Sequence, residues 1–269
     1  MPAGKVDAKS NTTRERALDA TALALSLILA LALRLPGLSV FLTADEARSW
    51  FGRSLIFLHS LATANLANTG PGGDVPFIEN VSLSPAPGVT TMWTGALGIL
   101  IEYARQGFPG PLADFIVTVP FDPLDPAMLV WLRLPNVVLA AGAVGLTFWW
   151  SRPLLGRWGA LLAAALVALD PFYLALSRVL GHDALVTTFM WLSLVALLRV
   201  LIPGPPSTAR GSQTRFLILS GVAAGLAFLS KYPAFFIAAF TALALLLGYL
   251  SQTPHQPIRS TLNRWIKDV

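Results

Sequence analysis

In a chain that is 55 % hydrophobic and only 12 % charged, a few clusters of ionisable residues stand out as places for chemistry. Thr43-Ala44-Asp45-Glu46-Ala47-Arg48 puts two adjacent carboxylates just beyond the first apolar run. Like-charge proximity and partial burial raise one carboxyl of such a pair, which suits a general base near neutral pH. Capping of a helix N-terminus uses the same residues. Asp170-Pro171, Ser177-Arg178 and His182-Asp183 lie between two later runs. An Asp, an Arg and a His gathered at one membrane face can bind a phosphate and orient a hydroxyl; an interface-exposed turn with Asp183 as a cap is the plainer alternative. Lys231, in Leu229-Ser230-Lys231-Tyr232-Pro233, and Arg133, in Leu132-Arg133-Leu134-Pro135, are lone cations at the edges of apolar runs. Each reads either as a phosphate contact or as a snorkelling side chain. Polar groups at membrane depth are costly and are functional candidates by default.

The elements that must position these groups are apolar runs: Leu18–Leu33, Ala127–Trp150, Trp158–Leu174, Ala184–Ile202, Phe216–Leu229 and Pro233–Leu250. A hydrocarbon core of about 30 Å takes roughly 20 helical residues, and a mean hydropathy of +0.65 over 269 residues fits a polytopic membrane protein. Phe216–Leu250 as one helix would reach about 52 Å, so the run breaks at Lys231-Tyr232-Pro233 and returns as a hairpin. Strand-like alternation is weak throughout, which predicts an all-α fold of about six transmembrane helices. The zero cysteines exclude a disulfide framework, a thiolate nucleophile and Cys-based metal sites, and the three histidines are far apart. The net charge of +5 comes from basic residues in short groups between apolar runs. That is a topology signal rather than a nucleic-acid surface.

Placing the N-terminus, the Arg152–Arg157 turn, the Arg199–Arg215 loop and the tail in the cytoplasm puts twelve of the nineteen Lys and Arg residues inside. Ten of the fourteen acidic residues, Asp45 to Asp183, then fall outside. This parity requires that Val89–Tyr103 does not cross, and it is read as an interfacial or re-entrant helix. The expected division is a cytoplasmic segment 1–17, a transmembrane domain 18–250 with a long external loop at about 36–126, and a cytoplasmic tail 251–269 of the kind that precedes further spans. The loop carries an amphipathic stretch (Glu46 to Leu66), a Gly/Pro/Asn-rich part (Asn68–Gly88) and a Pro/Asp-rich return (Phe108–Pro126). Together the clusters bring carboxylates and cations from four separated segments to one face. A lipid-phosphate sugar donor calls for that combination: cations for the phosphate and a carboxylate to deprotonate the acceptor.

Several motifs in order resemble a known family. A first span ending in Arg34-Leu35-Pro36-Gly37 is followed by Asp45-Glu46, Pro87-Gly88-Val89-Thr90, Arg133-Leu134-Pro135, Ser177-Arg178 with Asp183, and Gly221-x-x-x-Gly225-Leu226 with Lys231. From about Leu33 to Leu250 the chain is similar to bacterial relatives of the protein O-mannosyltransferases, which share the GT-C membrane fold with the aminoarabinose transferases of lipid A. The resemblance implies transfer of a sugar from a polyprenyl-phosphate donor to an extracytoplasmic acceptor (a protein hydroxyl, lipid or glycan), usually with inversion. It implies Asp45 as catalytic base with Glu46 beside it, and Asp183 as the second acidic residue. Arg133, Arg178 and Lys231 become donor-phosphate contacts, with His182 and Asp170 secondary. Relatives often carry His where this chain has Ala86, and they are commonly about twice as long. The chemistry requires no cofactor, although external carboxylates can hold a divalent cation.

Two other classes compete with this reading. A transporter or flippase tends to place broken helices and polar groups near the bilayer midplane, within inverted repeats; here the polar groups lie at span ends and no repeat is visible. An inactive scaffold would have no need of Asp45, Asp183 and Lys231 together. The topology is testable because the chain has no native cysteine. Ser151→Cys and Gly204→Cys should both be protected from an impermeant thiol reagent in intact cells, and labelling of either from outside refutes the orientation.

Overall fold

The computed structural model describes residues 4–70, 87–119, 126–202 and 209–251. Residues 71–86 and 120–125 of the expected external loop, 203–208 of the Arg199–Arg215 loop and the tail beyond 251 lie outside the described residues. Among the described residues every regular element is helical, and five helices are long and apolar enough to cross a membrane. They include α1 (Gly4–Arg34); it is followed by α2 (Phe51–Ala62), α3 (Val89–Arg105) and the short α4 (Leu112–Thr118), which are not among the five. Then come α5 (Pro126–Leu169), the single-turn α6 (Pro171–Leu176), α7 (His182–Leu201), α8 (Ala209–Ser230) and α9 (Phe236–Ser251).

The 44 residues of α5 are interrupted at Gly156, whose φ of 71° and ψ of 176° are not helical. Unbroken they would extend about 66 Å, twice a hydrocarbon core. The glycine, free of a Cβ, takes the positive φ that divides α5 into two limbs, and these limbs are the second and third of the six expected runs. The turn faces the start of α1: Arg152 and Arg157 both donate through Nε to Asp19 Oδ1, at 2.9 and 2.7 Å. Arg157 also pairs with Glu15 at 2.7 Å. The N-terminal segment and the Arg152–Arg157 turn therefore share one end of the bundle, as the charge pattern requires.

The third run was expected to reach Leu174 but stops at Leu169. Asp170 caps the next helix, accepting the Tyr173 N–H at 2.7 Å, with Pro171 at the first helical position. Proline there is preorganised and lacks an N–H that would go unpaired anyway. At the other predicted break, α8 ends at Ser230, Lys231 is extended, and a 3₁₀ turn (Tyr232–Phe235) leads into α9.

Two cores organise the molecule. One lies in the bundle, where Ala22 and Ala30 of α1 meet Ala141, Val144 and Phe148 of the first α5 limb and Ala160, Ala164 and Ala168 of the second. The small residues let backbones approach, as packing within lipid requires. The other core joins α2, α3 and α4 to the bundle: Phe51, Leu55 and Leu58 of α2, Ala96 and Ile99 of α3, Phe115 and Ile116 of α4, and Met128 and Leu132 of α5. At 17 residues, α3 is not among the helices of crossing length. It lies so close to α5 that a Cβ on Gly98 would come within 2.5 Å of the Trp131 carbonyl oxygen.

Candidate active site

Thr43 and Glu46 form a capping box at the helix start. The Thr43 N–H and hydroxyl donate to Glu46 Oε2 at 3.0 and 2.8 Å, and the Glu46 N–H returns to Thr43 Oγ1 at 3.3 Å. This reciprocal pattern satisfies N–H groups that the helix itself leaves open. The helix continues through a π-helical turn, Glu46–Trp50, into α2. Adjacent helical residues point about 100° apart, so the two carboxylates diverge: Glu46 is 1 % exposed, whereas Asp45 is exposed.

Glu46 is bound from three directions. Arg133 grips it with Nε on Oε1 at 2.8 Å and Nη2 on Oε2 at 2.6 Å, and the Leu180 N–H donates to Oε1 at 2.7 Å. The remaining Arg133 donors go to the carbonyls of Leu38, Val40 and Phe41. Arg133 therefore has all five N–H groups committed and is 2 % exposed. Burial pushes the Glu46 carboxyl upward, but the hydrogen bonds from Arg133, Leu180 and Thr43 outweigh it and hold the group below its ordinary value of 4.5. These contacts bear on two expectations: both Glu46 oxygens are taken up by Arg133, Leu180 and Thr43, and Arg133 has no donor left over for a phosphate.

Asp45 opens onto a pocket of about 160 Å³ that it lines with Thr43, Trp50, Leu180, His182 and Asp183. His182 and Asp183 stand at the start of α7, and Lys231, from the break after α8, donates to Asp183 Oδ1 at 2.6 Å. His182 packs on Trp50 with ring centroids 4.7 Å apart, and its buried Nδ1 has no hydrogen-bond partner. The structure thus brings Asp45, His182, Asp183 and Lys231 together. Arg178 is placed differently: it donates to the Pro36 carbonyl and tethers the turn after α1, while its buried Nε is unpaired. Asp170 is occupied as the α6 cap and reaches a second pocket instead. That pocket, of about 330 Å³, is lined by Leu166, Val167, Tyr173, Thr187, Thr188 and Trp191 as well. Thr187 and Trp191 follow Asp183 at four-residue steps, so the two pockets lie along one face of α7.

Arg53 was missed by the sequence reading. It is 2 % exposed, stacks over the Trp50 ring at 4.8 Å and donates to the Pro87 carbonyl at 2.9 Å. Its signal is weak but present, since it follows Trp50 by three residues, the spacing at which helical side chains meet, in a helix with few polar residues.

A family model covers the half of the chain from α5 onward: that of dolichyl-phosphate-mannose-protein mannosyltransferase matches residues 126–262. The chain belongs to this mannosyltransferase family. No curated protein and no solved structure matches it. Membership makes it a multi-pass membrane protein of a glycosyltransferase family with polyprenyl-phosphate sugar donors. Arg133, Asp170, Arg178, His182, Asp183 and Lys231 lie within the mannosyltransferase match, whereas Asp45 and Glu46 precede it. Glu46 ties the two parts together through Arg133 and Leu180.

Removing one partner of a buried ion pair leaves an uncompensated charge and costs on the order of 3–5 kcal/mol. Glu46→Gln should therefore lower the thermal unfolding midpoint of the detergent-solubilised protein strongly, while a conservative change at exposed Asp45 leaves it unmoved. The pH dependence has a definite sign. Because the folded carboxyl is depressed, its contribution is complete above the unfolded value and is lost as pH falls through the folded one. Unfolding scans should show wild-type stability falling below about pH 4, with that fall reduced in Glu46→Gln.

Proposed function

We propose that this protein transfers a sugar from a polyprenyl-phosphate donor to a hydroxyl acceptor on the extracytoplasmic side of the membrane. The observation that carries the reading is the convergence of Asp45, His182 and Asp183 on one pocket, with Lys231 paired to Asp183 at its edge. Lys231 supplies the cation for the donor phosphate. Asp45 is the exposed carboxylate at the pocket, and it takes the acceptor proton as the hydroxyl oxygen bonds to the sugar's anomeric carbon. The bond from that carbon to the phosphate oxygen breaks, and the lipid phosphate leaves with the electron pair. Attack from the face opposite the phosphate inverts the anomeric centre. Asp183 holds Lys231 in place before the donor arrives.

The apolar pocket one turn deeper along α7 supports the lipid-linked donor. Thr187 and Trp191 of its lining lie on the same face of α7 as Asp183, and isoprenoid units following the phosphate would lie along it. A mannose-like hexose and a protein hydroxyl acceptor are the donor sugar and acceptor that the family description favours.

Transfer of labelled sugar from a lipid-phosphate donor, measured in membranes carrying the protein, tests the reading. General-base help contributes about 10²–10⁴-fold, so Asp45→Asn should abolish measurable transfer while donor binding persists. Retention of more than about a tenth of wild-type kcat places the base elsewhere and leaves Asp45 a surface carboxylate. Lys231→Ala should instead raise the donor KM by about ten- to a hundredfold, the worth of a charge-assisted contact.

A further inference from the structure

Arg53 closes a ring of contacts beside the pocket, and the ring shares Trp50, His182 and Asp183 with the pocket's lining. Its Nη2 donates to the Pro87 carbonyl at 2.9 Å. The next residue, Gly88, donates its N–H to the Ser230 carbonyl at 3.1 Å. Thr90 and Ser230 join through their hydroxyls at 2.7 Å, and the Ser230 hydroxyl donates onward to the Leu226 carbonyl. Lys231 follows directly and donates to Asp183 at 2.6 Å. His182, covalently next to Asp183, packs on Trp50, and Trp50 carries the Arg53 guanidinium on its face at 4.8 Å, which completes the ring.

The ring has little slack. Gly88 sits at a φ of 58°, and a Cβ there would approach the Trp50 ring to 2.2 Å. Only glycine permits both the conformation and the contact. Arg53 is buried with Nε and Nη1 unpaired. A desolvated guanidinium with so few hydrogen bonds is costly, and the Trp50 face offsets part of that cost through the cation–π interaction. A Leu or Met would fill this position without the cost, so the features that distinguish Arg53 are its grip on Pro87 and its seat on Trp50.

We infer that Arg53 is a positioning residue for the donor site: it acts through the Pro87–Gly88 segment and Ser230 to hold Lys231 where the phosphate must bind. The inference rests on the reading of Lys231 as the phosphate contact. It also gives the Pro87-Gly88-Val89-Thr90 segment a function, since this motif fastens the break between α8 and α9. The link runs from residues outside the family match to a cation inside it.

The test is a double-mutant cycle read on the donor KM. Arg53→Met should raise the donor KM about tenfold with kcat little changed, within the effect of a displacement of about 1 Å. Arg53→Lys, which keeps a donor for Pro87 but loses the planar stack on Trp50, should restore part of the loss. In the Lys231→Ala background Arg53→Met should add nothing, because its effect passes through Lys231. Thr90→Val tests the opposite side of the ring with no change to Arg53, and should show the same rise and the same absence of effect in Lys231→Ala; it decides the matter if Arg53→Met fails to accumulate in membranes. Effects that multiply with Lys231→Ala, or an unchanged donor KM in both Arg53→Met and Thr90→Val, overturn the inference while leaving the phosphate reading standing. An unchanged donor KM in Lys231→Ala alone refutes the phosphate reading and takes the inference with it.

Discussion

The Glu46–Arg133 pair governs how the rest of the site is built. Two opposite charges with almost no exposure are a liability unless their hydrogen-bonding capacity is used. Here each Arg133 donor has an acceptor, and both Glu46 oxygens receive at least two bonds. The acceptors and donors belong to the strap after α1, the helix start at Thr43, the first limb of α5 and the turn before α7. None of these segments can move alone without stranding a buried charge. The strap includes Phe41 at a φ of 28°, a conformation unusual for a residue with a side chain, and its carbonyl is held by Arg133. The energetic demand of one ion pair thus fixes where Asp45 points, since Asp45 is the neighbour that the clamp leaves outside.

This division of labour separates two carboxylates that composition cannot distinguish. Glu46 is kept ionised by donors that surround it, and its role is mechanical. Asp45 stays on the pocket side with His182 and Asp183. The cations divide in the same way: Arg133 and Arg178 serve backbone carbonyls and a buried carboxylate, while Lys231 meets a partly exposed partner, Asp183. A lysine is suited to that position because its ammonium can rotate its three donors from one acceptor to another.

The spans were readable because long apolar runs leave no other stable arrangement in lipid; the break at Lys231-Tyr232-Pro233 followed from length, and the one at Gly156 falls within the Arg152–Arg157 turn that separated two runs by charge. Asp170-Pro171 was an interpretable cap signal, yet apolar Phe172, Tyr173 and Leu174 carried the predicted run past it. The cluster of Asp45, His182, Asp183 and Lys231 was legible as a set of polar residues at one end of the bundle. The assignments of Glu46, Arg133 and Arg178 were not, because backbone carbonyls supply much of their environment and carry no mark in sequence. Arg53 was hidden for a related reason: its partners are a tryptophan face and the Pro87 carbonyl, and only tertiary packing brings them together.

The core that joins α2, α3 and α4 to α5 has a consequence for how the molecule assembles. Met128 and Leu132 belong to a membrane-crossing helix but pack with Phe51, Leu55, Ile99 and Ile116 from outside the spans. Insertion of the apolar helices into lipid cannot by itself complete the native state, because this core also needs α2, α3 and α4, which are not among the helices of crossing length. Assembly therefore has a second step, in which α2, α3 and α4 pack onto the first limb of α5. The pocket at Asp45 takes its Trp50 wall from the same stretch of chain, so a chain with only its long helices inserted is a membrane protein that still lacks this pocket.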